Sequence, residues 1–218
     1  MTADIDQLIQ QLEDLHRGEL AAEKLVACGE RAIAPLRDYL IGGRPSHIYQ
    51  PRQWAIQALA RLGALSVLLE YLSLQQEIPD PVTLFGEEAV QSTAARALAA
   101  WKMDEVFEAL FRFAAQKSLP GVIEALGSFR RPESIPLLIR ALGDDFSRKA
   151  AENALRQMGE ASRPSLKALA VDPASDPLGE APSSRMRRKV ACAILEDLDR
   201  WPAAEGLAPP TDDTSVSE

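Results

Sequence analysis

Few residues in this chain could do chemistry. It has two histidines, His16 and His47, and two cysteines, Cys28 and Cys192. "EDLH" gives one Glu-x-x-His spacing, Glu13 to His16. Helical di-iron sites use such a spacing as one of a matched pair with further carboxylates, and the sequence has no second copy. The cysteines lack metal-ligand spacing and read as two small buried side chains, compatible with a reducing compartment. His47 is too isolated a base to suggest a Ser–His–Asp constellation. No G-x-S-x-G elbow, P-loop, G-x-G-x-x-G, C-x-x-C or H-E-x-x-H occurs. The expectation is a protein with no catalytic residues, no metal and no cofactor.

The remaining polar candidates are arginines and acidic turn residues, and their meaning depends on the elements that hold them. The 218 residues are 46 % hydrophobic but only 6 % aromatic, a core of Ala and Leu. Those residues favour helix, and runs of the strand type are scarce, so the chain is expected to be all-α. The net charge is −8, of which four charges (Glu205, Asp212, Asp213, Glu218) follow Trp201. An acidic body argues against general nucleic-acid binding. The start "MTADIDQLIQQL" lacks the basic and apolar regions of a signal peptide, and no apolar run approaches the ~20 residues that span a bilayer. A cytoplasmic protein without membrane association is expected.

A pattern recurs along the chain: "AAEKLVACG" (21–29), "AIQALARLG" (55–63), "AARALAAWK" (94–102), "VIEALGSFR" (122–130), "AENALRQMG" (151–159) and "ACAILEDLD" (191–199). The anchor leucines are Leu25, Leu59, Leu98, Leu126, Leu155 and Leu195. Four residues earlier stands a small residue or valine, one turn away on the same face, where a neighbouring helix can approach closely. Four residues later stand Gly29, Gly63 and Gly159 in three copies, as helix terminators. Helical stripes such as Ile5, Leu8, Ile9, Leu12 and Leu15, or Ile135, Leu138, Ile139 and Leu142, precede the copies. Pro35, Pro136 and Pro164 recur near the starts of these preceding helices. The reading is six helix pairs, roughly 4–28, 31–62, 64–101, 103–129, 132–158 and 161–199, which must stack to bury their apolar faces.

"IPLLIRALGDDFSRKAAENALRQMG" resembles the HEAT repeat, in the short bacterial form also found in phycobilin lyase subunits. The resemblance covers about residues 19–199, closest over 132–159 and looser over 64–130. It implies a right-handed α-solenoid with the first helix of each pair on the convex side and the second on the concave side. Its motif residues are structural, so it implies little about activity. Di-iron hydroxylases on HEAT-like repeats use several His-Glu pairs, and this chain has no His-Glu dipeptide. HEAT-like DNA glycosylases of base-excision repair resemble it in size, with Trp101 and Asp104 in the places of an aromatic and an acid. A phycobilin lyase subunit is the other enzyme-associated alternative.

Seven residues before the anchors stand Arg52, Arg148 and Arg188, read with Asp144 and Asp145 as a structural ladder that satisfies the turns. Three turns between first and second helices are long, at 42–51, 76–88 and 171–184. Equivalent places stack along one edge, so these turns should converge, and insertions gathered on one face often mark a binding surface. They carry His47, Tyr49, Leu84 and Phe85. The concave rows add Arg96, Lys149 and Lys189. The expected function is a non-catalytic scaffold, residues 1–201, that binds another protein through its concave face and edge loops, followed by a disordered acidic tail at 202–218.

Overall fold

The structure is a computed structural model that describes residues 5–74, 76–171 and 182–200. Every regular element in that portion is helical. Twelve α-helices form six consecutive antiparallel pairs: α1 (Ile5–Gln11) with α2 (Gly18–Ala27), α3 (Ile33–Gly42) with α4 (Gln50–Arg61), α5 (Leu65–Ser73) with α6 (Pro81–Leu98), α7 (Asp104–Gln116) with α8 (Pro120–Phe129), α9 (Ile135–Ala141) with α10 (Arg148–Met158), and α11 (Arg163–Val171) with α12 (Pro182–Arg200). The second helices pack in one row, each on the next, from α2 to α12. The first helices form a parallel row behind them. This is an α-solenoid.

The repeat pattern places the core. Leu25, Leu59, Leu98, Leu126 and Leu155 are fully buried, with Ala21, Ala55, Ala94, Val122 and Ala151 beside them one turn earlier. Each small side chain lets the next helix come close, and each leucine fills the space that the approach encloses. Gly29, Gly63 and Gly159 sit after their helices at φ 65°, 73° and 54°. In the fourth pair the same place holds Arg130, which takes φ 54° without being glycine.

The last pair departs from the pattern by one residue. Ile194 is fully buried and Leu195 only partly so, because the adjacent "IL" offers two residues able to fill the anchor slot and the helix presents the first. The arginine seven places earlier is then Arg187, which is fully buried, rather than Arg188, which is half-exposed. The same shift turns Cys192 outward into the exposed concave row, so it is not the buried thiol expected. Cys28 is half-buried, and both thiols are free.

The second long turn is also shorter than its sequence suggested. Pro81 starts α6, and Asp80 caps it by accepting the Thr83 N–H at 2.8 Å. Residues 81–88 are therefore extra helical turns, not loop. Of the third long turn, 172–181 lies outside the described residues, as does the segment 202–218. No described helix is long and apolar enough to cross a membrane.

Candidate functional site

Where the second helices begin, the turns of pairs two to five come together around a groove of about 600 Å³. Its floor repeats one position of the pattern. Gln53, Ser92 and Pro120, each six residues before an anchor leucine, lie side by side on α4, α6 and α8. Its walls come from the turns: Tyr49 before α4, Phe85 in the added turns of α6, and Phe146 before α10. Phe85 is 55 % exposed and Phe146 75 % exposed.

Two glycines give the groove its shape by allowing backbones to touch. A Cβ on Gly86 would lie 2.7 Å from the Ser46 carbonyl and 3.3 Å from the Tyr49 ring. The start of α6 therefore leans directly on the 43–49 loop. A Cβ on Gly121 would lie 2.2 Å from the Ser92 carbonyl, so α8 meets α6 at the floor.

A buried brace stands behind the aromatic wall. Arg52, on α4, donates to the Leu40 carbonyl at 2.8 Å and pairs with Glu87 on α6. Tyr71, on α5, donates to the other Glu87 oxygen at 2.5 Å, and the Arg52 guanidinium lies 5.6 Å from the Tyr71 ring centre. All three residues are buried. Burial, with the Glu87 charge adding to it, pushes the Tyr71 phenol far above its usual range. Arg148 acts on its own turn, donating to the Leu142 carbonyl at 3.0 Å and pairing with Asp145. Arg187 donates to Ser184 Oγ at 3.0 Å. The Asp144 carboxylate takes no part in the Arg148 ion pair, although the Asp144 backbone carbonyl accepts the Arg148 N–H at 2.8 Å. Asp144 lines the groove, and its carboxylate accepts the Phe146 N–H at 3.3 Å.

Of the residues anticipated as partner-binding, Tyr49, Phe85 and Arg96 line the groove, and four do not. His47 is exposed on the 43–49 loop. Leu84 is half-buried in α6. Lys149 pairs with Glu152 along its own helix at 3.3 Å, and Lys189 is exposed on α12. Gln53, Ser92, Pro120 and Phe146 join Tyr49, Phe85 and Arg96 as lining residues, and Asp144, expected as part of the turn, lines the groove as well. The shared place six residues before an anchor is the signal that finds Gln53, Ser92 and Pro120. Glu87 had no such signal, since its burial follows only from the unanticipated helical turns.

Exposed large apolar residues mark the same edge. Among the described residues these are Leu15, Leu20, Ile48, Val82, Phe85, Phe146, Val171 and Met186, all in or near the first-to-second helix turns, with Met103 alone at the opposite edge.

The other candidate chemistries are absorbed by the frame. α1 ends at Gln11, so Glu13 and His16 are not on a helix, and Glu13 accepts the Tyr39 hydroxyl at 2.5 Å. Among the described residues no group of His, Cys, Asp and Glu could hold a metal ion. Trp101 packs half-buried against the core, and Asp104 pairs with Arg131, both at the opposite edge from the groove.

Residues 86–156 match the family model for HEAT repeats. That segment runs from within α6 to α10 and includes part of the stretch, 64–130, over which the sequence resemblance is looser. The fold is an α-solenoid, and the matched segment of it is similar to HEAT repeats, which are generally scaffolds for protein interaction. No curated protein matches the chain.

Proposed function

We propose that this protein is a non-catalytic scaffold that binds another protein through the groove and the turn edge beside it. The observation that carries the reading is the segregation of exposed large apolar residues to one edge, converging on Phe85 and Phe146 at a concave site. Scattered apolar side chains are ordinary on a surface, but an aligned set beside a groove marks an interaction site. The added turns of α6 and the close Gly86 contact hold these rings on a rigid support, which limits the ordering cost of binding.

The test is capture of a partner from the native host, followed by calorimetric titration of that partner. Tyr49→Ala and Phe85→Ala should each weaken binding by about 2 kcal/mol or more if they are hot spots, with helical content unchanged. Reversing Lys149 and Lys189 to Glu should mainly alter salt dependence and on-rate. Binding lost only in the concave-row variants would move the site off the edge. Salt-sensitive DNA binding, or a co-purifying bilin, would replace this reading with a DNA glycosylase or a phycobilin lyase subunit.

A further inference from the structure

Resting on the scaffold reading, the geometry points to the kind of partner segment the groove takes: an extended peptide that places a Lys or Arg side chain between Phe146 and Asp144, with apolar residues on either side.

The shape argues for an extended chain. From Tyr49 before α4 to Asp144 before α10 the groove crosses three helix spacings. At about 8–10 Å per spacing it runs roughly 24–30 Å, the reach of about eight residues of extended chain at about 3.3 Å each. A helix keeps its backbone groups to itself, whereas an extended chain presents carbonyl and N–H groups that need partners. The Gln50 and Gln53 side chains line the groove and offer polar groups to such a chain.

The charges argue for a cation. Lys117 is neutralised by Glu88, Nζ to Oε1 2.8 Å, and Arg96 by Glu124, Nε to Oε2 2.5 Å. Each of these cations already has a carboxylate partner. Asp144 is the exception among the charged lining residues: no cation pairs with its carboxylate among the described residues, and that carboxylate accepts the Phe146 N–H. Two residues on, the Phe146 ring stands 75 % exposed. A carboxylate beside an open aromatic face attracts a guanidinium or ammonium twice over, by charge and by the ring quadrupole. Tyr49 and Phe85 supply apolar surface for the neighbouring side chains.

The test is selection from a display library of random twelve-residue peptides on the full chain, followed by titration of the enriched peptides. Enrichment of Lys or Arg flanked by aliphatic or aromatic residues is expected. Asp144→Asn should weaken those peptides by about three- to tenfold, less at high salt. Phe146→Ala should weaken them more than about tenfold. Both side chains are at the surface, so circular dichroism should be unchanged. In a double-mutant cycle, replacing the peptide Lys or Arg with Gln should remove the effect of Asp144→Asn. Enriched peptides without a basic residue, acidic ones, or basic ones indifferent to Asp144→Asn would overturn the inference while leaving the scaffold reading intact. Self-association abolished by Phe146→Ala would assign the groove to a second copy and also overturn it. No enrichment above the unselected library, or binding indifferent to Phe85→Ala and Phe146→Ala alike, would overturn the inference and remove the groove from the scaffold reading.

Discussion

Glu87 accepts from two buried donors on two different helices, Arg52 on α4 and Tyr71 on α5, while being carried on a third. Taking a charged pair out of water is costly, and removing one member leaves the other without compensation. Glu87→Ala should therefore destabilise by about 3–5 kcal/mol in chemical denaturation, more than any surface pair such as Lys149–Glu152. Tyr71 adds a pH dependence with a definite sign. Its folded-state proton is held well above the value near 10 at which an unfolded tyrosine ionises. Its contribution is complete below about pH 10 and is lost as pH rises beyond, with a slope of up to about 1.4 kcal/mol per pH unit. Tyr39, raised mainly by burial and then by its bond to Glu13, acts in the same sense. Stability measured through the alkaline limb should flatten in Tyr71→Phe, and a limb unchanged in that variant would discount the buried phenol. None of this was legible in the sequence beyond Arg52. A residue's spacing from its anchor fixes which arginine turns inward, but the acid that meets it comes from an insertion with no counterpart in other repeats.

At the scale of the element, the repeat position predicts backbone conformation even where the residue type disagrees. Three copies end on glycine with positive φ, and the fourth holds Arg130 at φ 54° in the same place. A residue with a Cβ pays roughly 1–2 kcal/mol there, partly offset by the greater unfolded-chain freedom of glycine. Arg130→Gly should raise stability by about 0.5–1 kcal/mol, seen as a higher unfolding midpoint without a change in its slope. The helices, their pairing and five of six anchors were legible because each rests on a local periodicity. The extra turns of α6 were not. "EIPDPVTLFGEE" carries Pro and Gly, the usual marks of a loop, yet Pro81 occupies the first helical position where it is favourable, Asp80 supplies the cap, and Gly86 is needed for contact with the 43–49 loop. Those turns hold Phe85, expected on a loop, on a helix at the groove wall, and they bury Glu87, which the sequence did not single out. The register of α12 was missed because Ile194 and Leu195 satisfy the pattern equally well, and only packing against α10 and α11 separates them.

Over the whole molecule the buried side chains fall into two clusters, one from α1 to α8 and one from Ile123 through α12. Each pair touches mainly its neighbours, so a core defect should weaken the array locally before it weakens it globally. Leu155→Ala should cost about 2–5 kcal/mol. Amide exchange should accelerate first in α9 to α12, with α2 and α4 least affected. Uniform acceleration along the chain would mean that the six pairs unfold as one unit. That the first two long turns meet on one edge was legible from repeat position, while the third lies largely outside the described residues; the groove itself was not legible, because its depth depends on how closely α6 and α8 approach at Gly121.

The groove draws each wall from a different turn, while the helices behind it are held by the anchor row. A turn in such an arrangement can lengthen, shorten or change residues without shifting the register of any neighbouring pair. The site is thus modular in heredity though continuous in space: Tyr49, Phe85 and Phe146 can each be exchanged by altering one short stretch of the gene. Selection, natural or in the laboratory, can retune recognition one wall at a time while the scaffold stays constant.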